Sequence, residues 1–310
     1  MMEFKTKAVL EEDGMKIKIS VFFQSPVNVF LFRRMSPRVA QKYLHIIGFL
    51  YYLVNRHEKR VIEANVREVL TGQDEAYIRR VVRETFKGIF THYFEKMFSA
   101  YLDYGTVRRY VEDHFKIEGA EILQKALDQG KGCILVTAHW GAVEFIPWVL
   151  HSQNIPTSVI LECATAKLAR SLQGQTAHHN MELLSSASGG SIFLRAMQSL
   201  KANRVLMTQC DEVDAWRRRR SQTIQLFGKE LFFDNTIDVL SHRSGAPVVA
   251  AFLKRTGHNR YTLILEDVSV QRMPESKARD CLELWQKYVR LNPEQWYQWK
   301  KWTAMKVTAA

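Results

Sequence analysis

The chain has 310 residues, 46% of them hydrophobic, enough apolar content to bury a large core. Lys and Arg outnumber Asp and Glu by 44 to 32, a formal charge of +12, so an acidic partner is expected: nucleic acid, anionic lipid or an acidic carrier protein. Cys133, Cys163, Cys210 and Cys281 are far apart and form no Cys-x-x-Cys pair, which argues against a zinc ribbon or a disulfide scaffold and suits a reducing compartment.

The first residues lack a basic, apolar, small-residue cleavage pattern, so no secretory signal is expected. From Val21 to Val54 the chain is apolar but interrupted at Arg33-Arg34, Pro37 and Arg38, and neither piece reaches the roughly 20 residues of a spanning helix. The pattern predicts an interfacial helix, with Tyr51 and Tyr52 at the boundary and Arg33, Arg34, Arg38, Lys59 and Arg60 near lipid phosphates. A core helix with a basic rim is the alternative.

Residues 58–102 read as two helices separated at Thr71-Gly72. In the second, Ile78, Val82, Phe86, Phe90, Phe94 and Phe98 recur at helical steps, a stripe that core packing explains and that a lipid-chain groove would also need.

The apolar run Cys133–Val136 predicts a buried strand, ending at Thr137-Ala138-His139. Trp140-Gly141 turns the chain, and from Ala142 the apolar residues take helical spacing, with Val143, Ile146 and Leu150 on one stripe. His139 thus stands at the carboxyl end of a strand, where ligands bind in open α/β sheets. Across such a turn, Glu144 in the first helical turns can face His139, fixing its tautomer and stabilising the imidazolium, as a general base acting on a hydroxyl requires.

Further strands are predicted at 157–161, 204–208, 247–252 and 261–266, with helices between them at about 165–173, 191–202 and 236–244. Alternating strands and helices predict an α/β fold: a central mostly parallel sheet flanked by helices, over residues 58–310, after an amino-terminal helical segment, residues 1–57. The run Gln209–Asp214 has acidic residues but no neighbouring His and reads as a solvated turn rather than a metal site. Arg217–Arg220 is a basic run without a helix-turn-helix, RNP-like or zinc-finger context, and it suits anionic headgroups or an acidic carrier better than nucleic acid.

Four ordered blocks carry a resemblance. The segment Val136–Phe145 resembles the His-x4-acidic block of the lysophospholipid acyltransferase superfamily, and its Trp-Gly and Glu point to the branch of the late acyltransferases of lipid A biosynthesis. Ile62–Leu70 resembles the basic helix before the family core, Leu226–Val249 its Phe-Gly and Gly-Ala-Pro-Val-Val segments, and Asn292–Trp302 its Pro-Glu-Gln-Trp signature. The likeness spans about residues 25 to 302.

The resemblance implies a membrane-associated acyltransferase that moves a fatty acyl chain from acyl carrier protein or coenzyme A to a hydroxyl of a lipid or glycolipid, at the cytoplasmic face of the inner membrane. His139 and Glu144 are the expected catalytic pair, and Trp140, Gly141, Arg170, Asp211 and Gly228 the expected substrate-binding positions, with no metal and no cofactor. The chain departs from the family pattern in three places, one being Phe233-Asp234-Asn235-Thr236 where the family usually has Thr-Pro-x-Gly after Phe-Gly. Where the family has Asp-Gln-Asp only Asp211 matches, and of its Arg-x-x-x-Arg-x-Arg helix only Arg170. A catalytically inactive lipid-binding protein of the same fold is the alternative function.

Overall fold

The computed structural model describes residues 22–161, 166–176, 180–185, 190–212, 222–268 and 276–306; the Arg217–Arg220 run and Cys163 lie outside them. Helix starts follow local chemistry. Helix α1 (Pro26–Arg34) opens with proline behind the cap Ser25, and α2 (Pro37–Val54) likewise opens on proline. Helix α3 (Arg56–Val69) is capped by Asn55 and α4 (Glu75–Tyr101) by Asp74, either side of the predicted break at Thr71-Gly72. Helix α5 (Tyr104–His114) leads into strand β1 (Phe115–Glu118), and α6 (Ala120–Leu127) into β2 (Cys133–Thr137).

After β2 a single 3-10 turn, Val143–Phe145, precedes α7 (Ile146–Ser152). Strand β3 (Thr157–Ile160), α8 (Ala166–Thr176), β4 (Met181–Leu184), α9 (Ile192–Lys201) and β5 (Val205–Gln209) continue the alternation. A hairpin, β6 (Thr223–Leu226) and β7 (Lys229–Phe232), stands apart from the main sheet. Helix α10 (Thr236–Ser244), β8 (Val248–Gly257), β9 (Arg260–Asp267), α11 (Lys277–Leu291) and the short α12 (Trp302–Met305) complete the described chain.

The main sheet has seven strands in the order β1-β9-β8-β2-β5-β3-β4, and every neighbouring pair is parallel except β8 and β9. The α/β expectation therefore holds, with β1 and β4 as strands the periodicity did not reveal. All of β2 is buried because helices cover both faces of the sheet. Ile134 and Val136 enter one apolar core, Cys133 and Leu135 the other.

Helix α4 joins the two cores. Its first half, Ile78 to Phe86, packs in one core, and Phe90, Phe94 and Phe98 in the other, each at most 2% exposed. The aromatic stripe is thus core packing. Helices α1 and α2 share the second core through Val29, Phe32, Ala40 and Leu44. Gly48 allows the close approach of α2 to α4, since a Cβ there would lie 2.4 Å from Phe90 Cγ. Among the described residues nothing covers their other side. Among the same residues, ten of the twelve exposed large hydrophobics fall between Phe22 and Val54, so their apolar exposure is concentrated on this one region. No helix among the described residues is long and apolar enough to cross a membrane.

Candidate active site

Strands β2 and β5 pair in parallel with Thr137 opposite Gln209. Two residues past each strand end, His139 and Asp211 therefore come side by side although far apart in sequence. His139 Nδ1 lies 3.0 Å from Asp211 Oδ1, and the His139 amide donates to both carboxylate oxygens at 3.0 and 3.1 Å. Trp296 Nε1 donates to Asp211 Oδ2 at 2.9 Å. A carboxylate only accepts, so Nδ1 carries the proton and Nε2 is the ring atom left for chemistry.

Asp211 is fully buried. Burial opposes its charge, yet the attraction of His139 and the hydrogen bonds from His139 and Trp296 hold its carboxyl below the ordinary range. Burial likewise opposes a charged His139, but the Asp211 carboxylate, joined by Glu212, raises it above its ordinary value against the opposing Lys301. Glu212 Oε2 stands 3.3 Å from Nε2, and Lys301 Nζ stands 3.1 Å from Glu212 Oε1.

Glu144 shares the cleft with His139, but the carboxylate that holds the imidazole is Asp211. The reason lies in the turn. The Gly141 amide donates to Gln295 O and the Ala142 amide to Leu253 O, both at 2.9 Å, pinning the chain to β8 and the carboxyl-terminal segment before the 3-10 turn begins. Glu144 then projects towards α4, with Lys96 Nζ at 3.2 Å and His92 Nε2 at 3.6 Å. The His92 ring stacks on Tyr297 at 4.2 Å, and Tyr297 meets His139 edge-on at 5.7 Å. Burial, then Lys96, Arg255 and His139, push His92 well below its ordinary value, so it is neutral.

Together these residues line a cleft of about 700 Å³. His92, Lys96, His139, Glu144 and Glu212 form its polar side, and Ile160, Leu161, Ile192, Ile237 and Leu282 its apolar side. An apolar crevice lined by Trp148, Leu172, Met181, Leu183 and Met207 branches from it, sharing Glu144, Ile160 and Leu161.

The other expected positions fall elsewhere. Trp140 is fully buried with its indole N–H on Asn292 O, and its ring packs on Phe252 and Tyr288. Gly141 has a φ of 63°, and a Cβ there would lie 1.9 Å from Leu253 O, so the residue serves close packing of the turn on β8. Its amide and that of Trp140, which donates to Ala138 O, are both engaged rather than free to bind an oxyanion. Gly228 is in the two-residue turn of the β6–β7 hairpin, beside Phe227, whose ring contacts Trp285 and Trp302. Arg170 is exposed on α8 and is not among the residues lining the cleft. Among the described residues, no group of three His, Cys, Asp or Glu could hold a metal ion.

Lys96, His92 and Glu212 were not read from the sequence as site residues, nor was Trp296 as a partner of Asp211. The carboxyl-terminal signature explains itself here. Gln295 bonds the amide and carbonyl of Arg255 on β8 at 2.9 and 3.2 Å, while the neighbouring Tyr297 amide reaches His139 O at 3.3 Å. The segment clamps the histidine turn from behind, and the bidentate Arg255–Glu95 pair, 2.8 Å at each bond, ties β8 to α4.

A histidine backed by a buried carboxylate, in a cleft with apolar walls at the carboxyl end of a parallel sheet, suits an enzyme that activates a hydroxyl beside a hydrocarbon substrate. The chain belongs to the bacterial lipid A biosynthesis acyltransferase family, whose profile matches residues 17–302. It is therefore an acyltransferase acting on lipid substrates. No curated protein matches the sequence. Among solved structures, the crystal structure of the 1-acyl-sn-glycerophosphate (LPA) acyltransferase, PlsC, from Thermotoga maritima is 12% identical, covers 83% of this chain and 97% of that one, and has a TM-score of 0.37.

Proposed function

We propose that this enzyme transfers a fatty acyl group from a thioester, on acyl carrier protein or coenzyme A, to a hydroxyl of a lipid or glycolipid, with His139 as the general base. The observation that carries the reading is the His139–Asp211 pair with Nε2 turned into the cleft. The acceptor hydroxyl takes the place beside Nε2 where Glu212 stands in this structure. Nε2 receives its proton as the oxygen attacks the thioester carbonyl. The tetrahedral intermediate then expels the thiolate, which takes that proton from the imidazolium. Asp211 offsets the ring's charge throughout, and the thioester is already activated, so a base worth about 10² to 10⁴ in rate needs no covalent enzyme intermediate.

The apolar side of the cleft receives the acyl chain, with the crevice beside Glu144 at its end, while Glu144 holds Lys96 and His92 in the cleft wall. The exposed apolar faces of α1 and α2, flanked by Arg33, Arg34 and Arg38, support attachment to the cytoplasmic face of the inner membrane without spanning it. Incubating the purified protein with radiolabelled acyl thioesters on each carrier and a mixed lipid extract tests the reading. An alkali-labile labelled lipid is expected, and its headgroup identifies the acceptor. Binding of acyl chains without transfer on either carrier would instead assign an inactive lipid-binding protein.

A further inference from the structure

A second cavity, of about 1330 Å³, opens away from the catalytic residues. One wall is a stripe of α2, Arg38, Gln41, Lys42 and His45, at the three- and four-residue steps of a single helix face. The opposite wall is the start of β1, with Lys116, and the β8–β9 turn with His258 and Arg260. Because β9 runs against β8 and β8 runs with β2, the end of the sheet where β1 and β9 begin is the end where β2 delivers His139. The groove and the catalytic histidine thus share one end of the sheet.

Two observations together define what the groove fits. Arg38, Lys42, Lys116 and Arg260 form no ion pair among the described residues, while of the acidic residues there Glu112 is held by Arg108 at 2.7 Å, leaving Asp113 and Glu118. The second is the adjoining face of α2, where Val39, Ile46, Phe49, Leu50 and Leu53 are all more than half exposed. On one helix an uncovered apolar face therefore borders a recess of unneutralised cations. A helix lying in a bilayer interface sinks its apolar face about 5 to 10 Å, which brings flanking cations to the level of the phosphates.

We propose that this groove binds the phosphate of an anionic phospholipid headgroup, docking the enzyme with its catalytic end towards the bilayer. The proposal rests on the membrane-surface reading above and adds to it a specific site. An acidic carrier protein is the rival occupant, but it would leave the apolar face of α2 unexplained.

The test is flotation of the full-length protein with vesicles of phosphatidylcholine alone and with phosphatidylglycerol added. Wild type is compared with the triple variant Lys42→Ala, Lys116→Ala, Arg260→Ala and with a control of equal charge loss, Lys125→Ala, Lys131→Ala, Lys201→Ala. The control residues precede β2 and β5 at the far end of the sheet. Circular dichroism and melting confirm that both variants fold. The groove variant is expected to lose about tenfold or more of its partitioning onto anionic vesicles, with partitioning onto phosphatidylcholine unchanged and the control near wild type. Wild type that ignores anionic vesicles overturns the membrane reading itself. Wild type that binds while the groove variant binds equally, or while the control loses as much, overturns the groove alone. A groove variant that keeps vesicle binding but no longer binds acyl carrier protein gives the surface to the donor and also overturns the proposal.

Discussion

Replacing Asp211 by Asn keeps the size of the side chain and removes what His139 depends on. The carboxylate accepts from the His139 amide, from Nδ1 and from Trp296 Nε1, through both of its oxygens. Asparagine offers one oxygen and a donor amide, so at least one of these N–H groups loses its acceptor. If the amide faces Nδ1, the imidazole proton moves to Nε2 and the ring can no longer act as a base. An Asp to Asn change behind a catalytic histidine has cost about 10⁴ elsewhere, and a general base is worth about 10² to 10⁴, so a fall of about 10³ to 10⁴ in kcat is expected. That is about 4 to 5.5 kcal/mol of transition-state stabilisation. KM should change little, because Asp211 is fully buried and touches no substrate. The unpaired buried N–H should also cost about 1 to 3 kcal/mol of stability, seen as a lower melting temperature by circular dichroism. Turnover is measured with radiolabelled acyl thioester at saturating acceptor. Folded Asp211→Asn protein within tenfold of wild type would refute the claim that Asp211 sets the state of His139.

Glu144→Gln should lower kcat by about tenfold or less, since Glu144 contacts Lys96 and His92 rather than His139, and steady-state kinetics beside Asp211→Asn would separate the two carboxylates. Glu212→Gln should move the acidic limb of the kcat/KM profile to lower pH. Glu212 and Asp211 raise His139 against Lys301 and burial, so removing one anion lets the ring lose its proton sooner; an unmoved limb would mean that Glu212 does not act on the imidazole in the free enzyme. The raised value has a matching effect on folding: the His139 pairing stabilises below the ordinary histidine pKa of about 6.5 and is lost as pH rises through the folded value, which pH-dependent melting of wild type against His139→Ala would reveal. Leu183→Trp should narrow the crevice and shift donor preference to shorter acyl chains, and competition between labelled thioesters of different lengths would show no shift if the chain lies elsewhere.

The strand–turn–helix around His139 could be read because β2 is apolar on both faces and Gly141 follows its end at Thr137 by four residues. Strands β1 and β4 and the hairpin are four residues each, with burial patterns too short to declare a period. The position of Asp211 was legible, but its partnership with His139 was not, because it depends on β5 being the neighbour of β2 in register, a long-range pairing that local pattern does not encode. The five-residue spacing of His139 and Glu144 suggested a local pair for the same reason. What redirected Glu144 was the anchoring of Gly141 and Ala142 by Gln295 and Leu253, more than a hundred residues away. In the amino-terminal helices Phe32, Ala40 and Leu44 pack into the core, while Phe30, Ile46 and Phe49 face outward.

The central claim is that His139 carries the proton in acyl transfer, and steady-state transfer by His139→Ala protein tests it most directly. The imidazole is only 13% exposed and Asp211 would lose its counter-charge, so folding is checked by circular dichroism and rates are compared below the variant's melting transition. The account predicts a fall in kcat at least as large as that of Asp211→Asn, about 10³ to 10⁴, with KM little changed. Turnover by the folded variant within tenfold of wild type would show that the histidine is structural and that the base lies elsewhere.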